Sequence, residues 1–200
     1  LPALAFESAA RIIPAMPATL THRFTVDDYY RMAETGILKP GARVELIEGE
    51  IVDMMPIGPF HSGSVYRLTR IFSRLSKSRW LVASQGPLRL DKHNEPEPDL
   101  MLLRPAKDDY TSAHPGPDDV FLVIEVADSS LAYDQTTKLP LYARFGIEEV
   151  WILNVPQKQL EIYRAPNFLG YESKIILHEG KAAPARFPDA EVDVTELLST

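Results

Sequence analysis

The run Val120–Val126, VFLVIEV, constrains this chain more than any other stretch. All but one of its positions are apolar, so it lacks the alternation of a half-exposed strand and reads as a central strand covered on both faces. Such a strand needs other layers on either side, which points to an α/β arrangement. The exception is Glu125. An ionised carboxylate there is costly unless a metal, a cation or several hydrogen bonds compensate it, and acids so placed tend to mark functional sites. The plain alternative is an acid paired with a buried Arg or Lys.

Three more residues give Glu125 its meaning. Asp99 follows Pro98 and opens a short apolar strand, Asp99–Leu103. Alone it would be a turn acid or a strand cap. Adjacent strands lie roughly 4.8 Å apart, so Asp99 and Glu125 on one face could share an ion. Lys138 lies four residues after Asp134 and would share its helix face, as an ordinary ion pair or as an ammonium aimed at the acids. Glu45 lies in an earlier hairpin, where a half-exposed acid is unremarkable unless the hairpin edges the same cleft. It would then be a third ligand or a water-orienting group. Two carboxylates and one ammonium are the minimum for holding a hard cation, Mg²⁺ or Mn²⁺, beside a phosphate. The lysine would position the attacking water or stabilise the pentacovalent phosphate.

The rest of the chain fits one domain over residues 23–200, preceded by a tail over residues 1–22 with a short helix around Ser8–Ile13. Thr25 with Asp27 and Asp28 starts a helix over 25–35, and Gly36 stops it. Arg43–Met54 reads as a hairpin turning at Glu48-Gly49. Residues 62–78 form a helix with an apolar stripe of Val65, Leu68, Phe72 and Leu75. Arg67, Arg70, Arg74 and Lys77 repeat on another face, as a solvated surface or as a phosphate-tracking stripe. Trp80–Leu90 reads as a strand bent at Gly86-Pro87, and Lys107–Asp119 as a loop. A helix over 135–145 contains Pro140 and either starts near Thr136 or bends. A second hairpin spans Glu148–Arg164 and offers an edge for pairing with a second copy. Ser173–Leu177 is a further strand, and a last helical turn lies within Val192–Leu198.

Composition narrows the chemistry. There is no cysteine among the 200 residues, which excludes disulfides and thiolate metal sites and fits a cytoplasmic setting. No apolar run approaches the ~20 residues of a membrane helix. The net charge of -7 opposes non-specific binding to nucleic acid, although a bound cation would offset some of it. The histidines show no zinc spacing, and phosphate-loop, dinucleotide and Gly-x-Ser-x-Gly patterns are missing. His61, at the start of the basic helix, reads as a cap or packed residue.

Several blocks together carry a family resemblance: FTVDDYYRM, RVELIEGEIVDMMP followed by His61, EPDLMLL, FLVIEVADSS, DQTTKLPLYARFGIEEVWIL and ARFPDAEVDVTELL. From about Phe24 to Leu198 the chain resembles the Uma-type family of bacterial restriction endonucleases, within the PD-(D/E)XK superfamily. The resemblance implies a restriction-endonuclease-like mixed central sheet flanked by helices. It also implies an active site of Glu45, Asp99, Glu125 and Lys138, with the three acids binding Mg²⁺ or a similar cation. The usual superfamily lysine stands two residues after the second acid, where this chain has Ala127. The family's lysine sits on the following helix, and Lys138 in DQTTK matches it. His61 and Gln85 also fall in family-like blocks without an assigned role.

The expected function is metal-dependent hydrolysis of DNA, with a homodimer as a plausible assembly because two copies can cut two strands. A catalytically silent module that keeps the nuclease fold for binding or assembly is the alternative. Hydrolysis of another phosphate ester is the third.

Overall fold

The computed structural model describes residues 21–199. Apart from Thr21 and His22, the expected tail and its short helix lie outside them. Helix α1 (Val26–Glu34) starts where expected. The Asp28 N–H donates to Thr25 Oγ1, and the Thr25 N–H donates back to Asp28 Oδ2, which satisfies two otherwise free donors. Strands β1 (Val44–Ile47) and β2 (Glu50–Asp53) form the predicted hairpin. Glu48 and Gly49 both have positive φ, 51° and 73°, as a two-residue turn of this hand requires.

The main sheet has six strands in sequential order. They are β3 (Leu81–Ser84), β4 (Leu100–Leu103), β5 (Val120–Ala127), β6 (Glu149–Asn154), β7 (Gln159–Asn167) and β8 (Gly170–Leu177). Neighbours are antiparallel except β5 and β6, which are parallel and so need a crossover. That crossover contains α3 (Leu131–Tyr133), a π turn (Asp134–Lys138) and α4 (Leu139–Arg144). A two-residue ladder, β9 (Lys181–Ala182) with β10 (Val192–Asp193), precedes α5 (Val194–Leu198).

Side-chain alternation on β5 builds two cores. Leu122, Ile124 and Val126 pack with Val65, Leu68 and Phe72 of α2 (Pro59–Ser76) and with α5. Val123 and Ala127 point the other way, joining Met101, Leu103, Leu141, Tyr142 and Ile152. Glu125 shares their parity and faces this second layer, under the crossover helices.

Several expectations change. Helix α2 begins three residues earlier than predicted, because Gly58 and Pro59 make a good entry. The strand expected over Trp80–Leu90 stops at Ser84, where Gln85 takes a φ of 52°. The crossover begins at Leu131, and Pro140 does not break it. The π turn ahead of Pro140, closed by Leu139 N–H on the Asp134 carbonyl, moves the backbone out of the way of the proline ring. The Glu148–Arg164 hairpin offers no free edge. Its strands lie inside the sheet, and the edges are β3 and β8.

Candidate active site

Strand register puts the two central acids together. Leu100 on β4 pairs with Ile124 on β5, so the next step places Asp99 opposite Glu125 with both side chains on the second face. The Asp99 N–H donates to Glu125 Oε2 at 3.4 Å. In return the Val126 N–H donates to Asp99 Oδ2 at 2.8 Å.

Glu45 reaches the same place from the small hairpin. Leu46 bridges to Glu95 through paired backbone bonds, which fastens β1 beside the loop leading to Asp99. The Glu97 N–H then donates to Glu45 Oε2 at 3.1 Å. The expectation of a half-exposed Glu45 is wrong, since all of β1 is buried and Glu45 is only 2% exposed. The strand is covered on both sides, which a four-residue alternation could not reveal.

Lys138 arrives from above. Its Nζ lies 3.2 Å from Glu45 Oε2 and 3.3 Å from Glu125 Oε1. Tyr142, one α turn further on, donates its hydroxyl to Glu125 Oε1 at 2.6 Å. Asp134 is also buried, and its Oδ2 accepts from Ser130 Oγ at 2.6 Å. His61 Nε2 lies 3.0 Å from Asp99 Oδ2, while its buried Nδ1 has no partner among the described residues. Glu45, Asp99, Glu125 and Lys138 therefore line one cavity of about 380 Å³, with His61, Asp134 and the β2–α2 loop in its wall.

The electrostatics follow from burial. Loss of solvent pushes the Glu125 carboxyl up to about 8; Lys138 opposes the rise, and Asp134 and Asp99 add to it. Burial also raises Asp134 against the pull of Lys138. For Lys138, burial disfavours the charge, but Glu125, Glu45, Asp134 and Asp99 outweigh it and hold the ammonium well above its ordinary range. Four carboxyl groups thus surround one ammonium, and burial keeps a proton on Glu125 up to about pH 8.

Among the described residues, no three His, Asp or Glu side chains are grouped closely enough to hold a metal ion. Mg²⁺, however, usually takes one or two protein carboxylates and completes its shell with water and substrate phosphate. The adjoining Asp99 and Glu125 fit that demand, and a divalent cation there would favour the ionised form of Glu125 that burial opposes.

Sequence reasoning missed Tyr142 and gave Asp134 only the role of a helix partner. Asp134, Lys138 and Tyr142 recur every four residues, and that spacing was the available signal. Gln85 stays outside the cavity and meets Asp99 through its backbone, donating its N–H to the Asp99 carbonyl. The basic stripe on α2 is partly used within the molecule. Arg67 donates to the Leu197 carbonyl, and Arg70 pairs with Glu196.

The fold is similar to the crystal structure of a putative nuclease belonging to DUF820 from Anabaena variabilis. The TM-score is 0.65 at 15% identity, over 88% of this chain and 98% of that one. At that identity the likeness speaks for the fold. No curated protein matches the chain. No described helix is long and apolar enough to cross a membrane. The family profile Uma2, "Putative restriction endonuclease", matches residues 26–195, from the first helix to the last. The chain belongs to the Uma2 family.

Proposed function

We propose that this protein is a divalent-metal-dependent endonuclease that hydrolyses DNA phosphodiester bonds, acting in the cytoplasm. The observation that carries this reading is the Lys138 ammonium, set between Glu45 and Glu125 while Asp99 rests against Glu125. Asp99 and Glu125 would hold Mg²⁺ or Mn²⁺, with Glu45 as the third acid of the set. A cation bound there would polarise the phosphate and lower the pKa of a bound water.

The protein groups divide the remaining work. In the metal-free site burial disfavours the Lys138 charge, but the surrounding acids hold the amine protonated, which suits Lys138 to donating hydrogen bonds. It donates hydrogen bonds to a phosphate oxygen and stabilises charge that grows in the transition state. Glu45, already held by the Glu97 N–H, orients that ammonium. Tyr142 fixes one oxygen of Glu125, leaving Oε2 on the side of Asp99.

The test is cleavage of linear and supercoiled DNA by purified protein with Mg²⁺ or Mn²⁺. Wild-type protein should cut only with metal, and Lys138→Ala and Asp99→Asn should lose at least about a hundredfold in rate. Equal cutting by wild type and Lys138→Ala, or none by wild type across metals and salt, refutes the reading.

A silent nuclease-fold module is the second reading. It draws support from the internal use of Arg67 and Arg70, which leaves less positive charge on α2 for a DNA backbone. Metal-indifferent DNA binding without cleavage would favour it. If the protein is a homodimer, edge strand β8 with its exposed Ile175 and Ile176 is the better candidate for pairing than the interior hairpin.

A further inference from the structure

One of the buried carboxylates outside the cavity, with no part in the chemistry above, collects an unusual set of donors. Glu161 on β7 is 1% exposed. Its Oε1 accepts from Asn154 Nδ2 at 3.1 Å and Gln159 Nε2 at 2.8 Å. Its Oε2 takes Gln135 Nε2 at 2.9 Å, Lys174 Nζ at 2.8 Å and the Tyr163 hydroxyl. Few acids collect so many donors, and most of these come from β6, β7 and β8. Gln135 is the exception, since it belongs to the π turn that carries Lys138.

The sheet explains the link. Glu125 pairs laterally with Ile152, and Ile152 pairs with Glu161. The three form one row on the second face, which sets Glu161 two strands, or roughly 10 Å, from Glu125. The crossover lies over that row. Its residue 138 reaches the acid at one end and its residue 135 the acid at the other. A π turn holds one residue more than an α turn, so relaxation to α geometry would swing Lys138 by about 100° around the axis. Leu141 and Tyr142 anchor the crossover beyond the turn, and Ser130 holds Asp134 before it. The Gln135–Glu161 bond is the tie in the middle.

We propose that Glu161 is a positioning residue for Lys138. Through Gln135 it pins the wide turn to the sheet and fixes the ammonium between Glu45 and Glu125. The proposal rests on the role given to Lys138 above, but its test does not depend on cleavage. Gln135→Leu is the main variant, because Gln135 is only half-buried and its loss leaves the other donors to Glu161 in place. Glu161→Gln is the second.

The readout is the side-chain ammonium signal of Lys138 in ¹⁵N NMR, assigned by its absence in Lys138→Met. A buried, hydrogen-bonded ammonium exchanges its protons slowly and stays visible. In Gln135→Leu the signal should broaden or move while the melting temperature stays close to wild type. If wild type cleaves DNA, kcat in Gln135→Leu should fall up to about a hundredfold with KM unchanged, as a displacement near 1 Å can produce. An unaltered Lys138 signal in Gln135→Leu overturns the proposal whatever the cleavage result. An altered signal in a protein that never cleaves DNA supports the positioning role and counts against the nuclease reading alone.

Discussion

Replacing Lys138 with methionine keeps most of the side-chain volume and removes its charge. The ammonium has two carboxylate contacts at 3.2 and 3.3 Å. At an effective dielectric constant of about 20, a carboxylate at that distance contributes about 5 kcal/mol of Coulomb attraction when ionised, which for Glu125 requires a pH above about 8, set against several kcal/mol for desolvating the ammonium. Removing one partner of a buried pair costs about 3–5 kcal/mol net, because the acids left behind keep their own burial penalty. The loss should also depend on pH. The folded Glu125 carboxyl is raised from 4.5 to about 8, so between those values the folded protein holds a proton that the unfolded chain has released. Wild-type stability therefore falls as pH rises through that window and levels off above it. Without Lys138 the carboxyl rises further, and the variant keeps losing stability where the wild type has levelled. The stabilisation from the raised Lys138 itself is fully present below its unfolded value of 10.5. The gap between the two proteins should then be wider at pH 9.5 than at pH 7, growing above pH 8 by up to about 1.4 kcal/mol per pH unit. Urea unfolding without divalent metal at pH 7 and pH 9.5 measures this. A gap of the same size at both pH values, or no gap, refutes the electrostatic argument.

Other perturbations probe separate parts of the account. Tyr142→Phe removes a 2.6 Å hydrogen bond to a buried carboxylate and should cost about 1.5–3 kcal/mol in chemical denaturation. Glu161 is held at about 2: burial works against its charge, but hydrogen bonds from Lys174, Tyr163, Asn154 and Gln159 prevail. Its stabilisation is present above the unfolded value of 4.5 and is lost as pH falls through 2, so the deficit of Glu161→Gln should shrink across that range in acid unfolding curves. Gly49→Ala should destabilise by more than about 1 kcal/mol in thermal unfolding, since φ is +73° and the new Cβ would stand 2.7 Å from Arg23 Cβ.

Strong local signals were readable in the sequence. The apolar run around Glu125 marked the central strand, and the Glu48-Gly49 pair marked its hairpin. Asp99, Glu125 and Lys138 could be nominated because each broke or joined a regular pattern. Long-range consequences were not readable. The burial of Glu45 depends on the bridge from Leu46 to Glu95, between segments far apart in the chain. The π turn depends on Pro140 together with anchors at both ends of the crossover, which a 3.6-residue period does not register. The Glu148–Arg164 hairpin was recognised, but strand pairing alone decides that β8 covers its outer side. Nothing in the local sequence sets Glu161 apart, because its donors come from four separate positions on β6, β7 and β8 and one on the crossover.

The central claim is that Asp99 and Glu125 form one cation seat beside Lys138. Anomalous diffraction from crystals soaked in Mn²⁺ tests it most directly. The expected result is a peak within coordination distance of both carboxylates, absent in Asp99→Asn crystals. A map with no manganese at these acids, or with manganese bound only elsewhere, would contradict it.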